Sequence, residues 1–233
     1  PQGYRGDLFG NYTYLTMSAQ ICVPVHARAL HLDESRIRAT GISRTDYYFD
    51  ADWNKTCHEK FLEQYPQARG KKIAVWAPTF RGNAAMPYLV GTEDIKCAAQ
   101  KLGEEWFVVI KAHPHIDAHG KISNCGLPTE ELFSSADLLI TDYSSTMFDY
   151  LIYRKPLVLF APDLEEYEKK RGFYLDYRKM PFQVVEDGTH LEEAIRRAGS
   201  EWEKHKQEAE AFILLYTGAC DGNATKRILA LAG

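Results

Sequence analysis

Leu138-Leu139-Ile140-Thr141-Asp142-Tyr143-Ser144-Ser145-Thr146 decides the fold: a short apolar run enters a cluster of small hydroxyl residues that opens a helical pattern. A strand without polar alternation is buried on both faces, the condition of a parallel sheet covered by helices. Outward from it the alternation repeats. Apolar runs predict strands at 73–80, 106–112, 157–160 and 182–185, and helical spacing predicts helices at 93–102, 129–135, 145–153, 164–170 and 191–198. Two closing helices are expected at 201–216 and 223–232. The expected class is α/β, a Rossmann-like parallel sheet with helices on both faces.

Upstream lie an apolar run at 12–17, a helical stretch at 19–30 and a strand-like segment from Arg36 that stops at Gly41, followed by a charged helical segment at 53–67. Gly70-Lys71-Lys72 interrupts that segment and sets the expected boundary, with residues 1–70 on one side and the sheet domain with its closing helices, 71–233, on the other.

The bulk numbers narrow the function. The 233 residues, 45% apolar and 26% charged, have the balance of an ordinary globular protein. A net charge of −4 gives no basic surplus for displacing counterions, so nucleic acid is not an expected partner. No apolar run approaches the ~20 residues that cross a bilayer, and no leader pattern opens the chain. The expected location is therefore the cytoplasm. A start at Pro1 rather than Met leads us to expect further chain upstream. The five cysteines are odd in number, scattered and without a C-x-x-C pair, as free thiols in a reducing compartment would be.

Parallel sheets of this class bind ligands at the carboxyl ends of their strands. The residues expected there are Thr79, Arg81, His113, His115, Asp142, Ser144, Ser145 and Asp163. Ser144 and Ser145 stand where a helix start leaves backbone N–H groups open, which suits phosphate oxygens. The plainer alternative is that Asp142 or Ser144 only caps the helix. Asp142 repels phosphate, so its expected task is to cap or to orient a neighbouring donor. His113 suits hydrogen bonding to a leaving phosphate or acid–base work, against the alternative of a packing residue. His113-x-His115-x-Asp117-x-His119 resembles the metal cluster of the metallo-β-lactamase fold, although Pro114 and one extra residue before His119 depart from it. That leaves a metal-dependent hydrolase as a rival. Asp50-Ala51-Asp52 reads as solvated surface. Lys169-Lys170-Arg171-Gly172 reads as a helix end, at which Arg171 has the geometry to clamp a phosphate.

Taken together, Trp76-Ala77-Pro78-Thr79-Phe80-Arg81, Lys111-Ala112-His113-Pro114 and the run from Ala136 through Ser145 to Phe148-Asp149-Tyr150 resemble the CDP-glycerol glycerophosphotransferase family. Lys155-Pro156, Asp163-Leu164-Glu165-Glu166-Tyr167 and Arg171-Gly172-Phe173-Tyr174-Leu175-Asp176 extend the likeness. The resemblance implies the second, donor-binding half of a GT-B-type two-domain transferase, with residues 1–40 as the tail of the first half. Thr40-Gly41-Ile42-Ser43-Arg44-Thr45-Asp46 is similar to the joining segment, with Ser43 where proline is usual. The implied reaction moves a polyol phosphate, glycerol phosphate foremost, from a CDP-activated donor to a hydroxyl of a cell-wall or capsular polymer or lipid-linked saccharide, releasing CMP. Ser144 and Ser145 are then assigned to the diphosphate, His113 to the phosphate or leaving group, Arg81, Arg171 and Arg44 to charge neutralisation, and Thr79 to a weaker polar contact. No metal or cofactor is implied. Family members work at the inner face of the cell membrane, and segments outside this chain would supply any attachment. The family's His-Gly motif, assigned to the base that activates the acceptor, has no match, since His119-Gly120 falls in the wrong half. Another nucleotide-sugar transferase or epimerase of the same architecture, and a non-catalytic nucleotide-binding module, remain alternatives.

Overall fold

The computed structural model describes residues 9–83, 86–112, 124–231 and 233. Two compact units emerge, Pro1–Trp53 with Glu210–Gly233, and Asn54–Ala209. The chain passes between them inside the helices Ala51–Gln64 and Lys206–Thr217. Gly70, the expected boundary, is a turn with φ of 76°, but it joins a helix to a strand within the larger unit.

In the smaller unit β1 (Leu15–Thr16) and β2 (Ile37–Arg38) pair in parallel. The helix Cys22–Leu30 covers them with Val23 and Ala27, which close on Ile37. Its Pro24 sits in the first turn, where a missing N–H costs no intrahelical bond. β2 ends at Arg38, three residues before the Gly41 at which it was expected to stop; at Gly41 φ is 85°, and a Cβ there would lie 2.1 Å from the Ala219 carbonyl oxygen. Asp46 accepts from the Ala224 and Thr225 amides, at 2.9 and 2.7 Å, and so caps the helix Ala224–Leu231.

The larger unit is built on a parallel sheet. β3 (Lys72–Ala77) is buried at every residue but Lys72. It is followed by β4 (Arg81–Asn83) and β5 (Met86–Tyr88), an antiparallel pair outside that sheet, and by β6 (Trp106–Ile110). β7 (Leu138–Thr141) and β8 (Leu157–Phe160) are buried throughout, and β9 (Gln183–Val185) closes the set. The order is β6-β3-β7-β8-β9.

Alternate side chains serve opposite faces. Ala74, Trp76, Ile140, Val158 and Phe160 pack with Ile95 and Leu102 of the helix Thr92–Leu102 and with Leu191 and Ile195 of the helix Leu191–Lys204. The opposite face meets the helices Ala51–Gln64, Thr129–Phe133 and Thr146–Leu151, from which Phe61, Phe133, Tyr150 and Leu151 are buried. The Phe133 and Tyr150 rings meet edge-on at 5.3 Å, and Phe61 meets Phe107 of β6 at 6.3 Å.

The strand order places the site. The chain steps outward from β3 to β6, then returns to lay β7 on the other flank of β3. That reversal opens a crevice between neighbouring strand ends.

Several boundaries differ from expectation, and three of the differences have physical reasons in the residues themselves. β3 ends at Ala77 rather than residue 80, because Pro78 has no amide for the ladder and the Thr79 amide turns to the Asp142 carboxylate at 2.8 Å. The β4–β5 pair carried no strand signal, since Gly82 and Pro87 interrupt it. The helix expected to end at 198 runs to Lys204, since buried Trp202 continues the apolar stripe one turn beyond Ala198. Leu139→Ala, deep in β7 at 0% exposure, is expected to lower the unfolding free energy by roughly 2–5 kcal/mol, measured by urea denaturation followed by circular dichroism.

Candidate functional site

Three strand ends are tied together by one arginine. Arg81, just past β3, donates through Nε to Asp163 Oδ2 at 2.7 Å and through Nη2 to Asp163 Oδ1 at 3.0 Å. Nη2 also reaches Asp142 Oδ2, at the end of β7, at 3.0 Å, and Nη1 donates to the Thr79 carbonyl at 2.7 Å. The side chains of Arg81, Asp142 and Asp163 are only 10%, 5% and 15% exposed. Tyr143 and Tyr167 stack at 3.8 Å, and the guanidinium carbon lies 4.9 and 5.0 Å from their ring centres. Tyr143 Oη donates to Asp163 at 3.0 Å, and Tyr177 Oη to the Asp142 carbonyl at 3.2 Å.

This arrangement shifts the carboxylates in opposite senses. Burial is the largest influence on both. At Asp142 it wins, lifting the carboxyl above its usual range despite the Arg81 charge and the Thr79 hydrogen bond. At Asp163 the Arg81 hydrogen bonds and charge, with the Tyr143 hydroxyl, outweigh it and hold the carboxyl below that range.

Beside the cluster lies a cavity of about 400 Å³ lined by residues that follow three strands: Ala77 to Phe80 after β3, Lys111 and Ala112 after β6, and Ser144 and Thr146 after β7. Pro128, Thr129 and Glu130 complete the lining. Asn124 pins the β6 end, accepting from the Ala112 amide at 2.8 Å and donating to its carbonyl at 3.3 Å. Lys111 Nζ donates to the Cys125 carbonyl at 3.0 Å. Ser144 Oγ accepts from the Thr146 amide at 3.3 Å while lining the cavity. Thr79 Oγ1 is buried.

The structure thus gathers Thr79, Arg81, Asp142 and Ser144. Asp142 does not cap the helix; it orients the Thr79 amide and Arg81, one of the two tasks expected of it. Arg81 is not an open charge awaiting phosphate, because two carboxylates already hold it. Ser145 is exposed, makes no side-chain cap bond and is not in the cavity lining. Arg171 ends the helix Leu164–Arg171, exposed, with its guanidinium 5.9 Å from the Tyr167 ring centre. Arg44 belongs to the smaller unit. His113, with His115, Asp117 and His119 of the rival metal reading, lies outside the described residues. Among the described residues no group of three or more His, Cys, Asp or Glu side chains could hold a metal ion. Sequence reading missed Lys111, Thr129, Glu130 and Thr146; the available signal was a lysine ending an apolar strand, and a proline followed by a polar helix start.

The sheet, its switch point and this crevice define an α/β protein with a polar cavity at its strand ends. Residues 7–232 match the model of the CDP-Glycerol:Poly(glycerophosphate) glycerophosphotransferase family, and the chain belongs to that family. The chain is 32% identical to a teichoic acid ribitol-phosphate primase of Bacillus spizizenii, over 94% of this chain and 58% of that protein. It is 28% identical to a poly(ribitol-phosphate) polymerase of the same organism, over 94% of this chain and 37% of that protein. The solved wall teichoic acid polymerase TagF shares the fold, with a TM-score of 0.80 and 24% identity over 94% of this chain and 57% of that one. The chain therefore spans about half the length of the relatives it matches.

Removing Asp163 leaves Arg81 buried with one carboxylate, so Asp163→Ala is expected to cost roughly 3–5 kcal/mol at pH 7. Folding lowers the Asp163 pKa, so its contribution is complete above the unfolded value of about 4 and disappears as pH falls through the folded value. The gap in melting temperature between the unsubstituted protein and the variant should accordingly narrow below about pH 4, which calorimetric scans from pH 7 to pH 3 would measure.

Proposed function

We propose that the crevice at the ends of β3, β6 and β7 holds the diphosphate of a CDP-activated polyol, and that the protein transfers the polyol phosphate to a hydroxyl of a cell-wall polymer. The single observation that carries this reading is the cavity itself: it lies at the sheet's switch point and joins Ser144, Thr146 and Lys111 in a member of this family. Ser144 Oγ gives one of its two lone pairs to the Thr146 amide, which leaves its proton for a phosphate oxygen.

In the reaction, the acceptor oxygen attacks the β-phosphorus, and the bond from that phosphorus to the bridging oxygen breaks. CMP leaves, and the acceptor's proton passes to a base. Positioning and charge stabilisation supply most of the rate of such a transfer. His113 is assigned to the leaving phosphate, on its place two residues beyond Lys111. Arg81 acts by position, fixing the Thr79 turn and the β7 end, rather than by direct neutralisation. Arg171 and Arg44 are retained as phosphate partners on the family resemblance alone.

The donor polyol is glycerol or ribitol, since the family description names the first and the B. spizizenii relatives the second. We further infer that the sheet unit is the donor-binding, Rossmann-like half of a GT-B transferase, that the chain before it comprises the end of the first half and a linker, and that the protein works in the cytoplasm at the inner membrane face. Five free cysteines support a reducing compartment. No helix among the described residues is long and apolar enough to cross a membrane.

Calorimetry with CDP-glycerol, CDP-ribitol, UDP-sugars and GDP-sugars tests the reading. A CDP-linked polyol should bind best, and Ser144→Ala should weaken it roughly tenfold, the worth of one hydrogen bond to a charged group. Ser145→Ala should do less. Preference for a UDP- or GDP-sugar would contradict the proposal.

A further inference from the structure

The cavity contains two charges of opposite sign that do not neutralise each other. Lys111 is the cation among its described lining residues, and Glu130 is the carboxylate. Arg81, which follows the lining residue Phe80, is held by Asp142 and Asp163. Lys111 Nζ donates to the Cys125 carbonyl, which fixes the ammonium and leaves two of its three protons for a ligand. Glu130 is half-buried, and no ion pair joins it to Lys111, whereas its neighbour Glu131 is turned to Lys60 at 2.5 Å.

A diphosphate and a carboxylate repel each other. A ligand that fills this cavity must therefore put its anionic part at the lysine and a hydrogen-bond donor at the glutamate. A cytidine diphosphate carries such a donor at the end remote from its phosphates: the exocyclic N4 amino group, for which a carboxylate is the matching acceptor. Uracil presents an oxygen at the same place and would be repelled.

We propose that Lys111 and Glu130 set the direction in which the donor lies, Lys111 taking the diphosphate and Glu130 selecting cytosine through its amino group; this rests on the donor reading above. Lys111 is then a binding residue for the transferred group's diphosphate, and Glu130 a specificity residue for the base.

The test is calorimetry of cytidine, CMP, CDP and UDP with the unsubstituted protein and with Lys111→Met, Lys111→Arg and Glu130→Gln. Lys111→Met should weaken CDP roughly tenfold to a hundredfold while moving cytidine by less than about threefold, and Lys111→Arg should restore most of the loss. Glu130→Gln should remove the preference for CDP over UDP, because its amide NH₂ donates to uracil O4. Equal losses of cytidine and CDP in Lys111→Met would overturn the lysine's role, since a general packing defect does not sort ligands by charge. An unchanged CDP to UDP ratio in Glu130→Gln would overturn the glutamate's. If the unsubstituted protein has no preference for CDP over UDP, the donor reading itself fails.

Discussion

The site depends on the bond between Arg81 and two carboxylates that arrive from different strands. Asp142 comes from the end of β7 and Asp163 from the segment after β8, and Arg81 follows β3. Burying these charges carries a desolvation cost that only good geometry offsets. Here the geometry is good: a two-pronged contact to Asp163, a third bond to Asp142, and two tyrosine faces about the guanidinium. The cluster fixes the turn Pro78–Phe80 against the end of β7, and both the turn and Ser144 line the cavity.

The cluster also divides the labour of charge. An arginine matched by two carboxylates offers a ligand beside it no uncompensated positive charge, so the cation open to an anion among the described lining residues is Lys111. In the proposed donor complex, an Arg81 side chain pinned at this point acts on the phosphate through the backbone it holds. This is a common division in phosphoryl-transfer sites, where much of the protein's contribution is pre-organised position.

The sheet was legible because its strands lack alternation: β7 and β8 fall at the residues expected, since a run of Leu, Ile, Val and Phe bounded by polar turns has one good solution. Helix ends were less legible, as at Lys204, where a tryptophan one turn on outweighed a Gly199-Ser200 break. The site was legible in location and not in wiring. Thr79, Asp142 and Ser144 were placed at strand ends by topology alone, but whether Arg81 would face ligand or carboxylate depends on the distance to Asp163, 82 residues away in sequence. Lys111 and Glu130 were passed over for the same reason. Each looks like an ordinary polar residue at an element's edge until the fold brings Pro128–Glu130 against the β6 end.

On the proposed reading, the crevice between the β3, β6 and β7 ends receives a cytidine-linked diphosphate. The most direct measurement of this binding is a crystal structure of this protein soaked with CDP. The account predicts phosphate density within hydrogen-bonding distance of Ser144 Oγ and Lys111 Nζ, with the Arg81–Asp142–Asp163 contacts unchanged. Diphosphate bound at another face of the sheet, or bound by an Arg81 that has left its carboxylates, would contradict it.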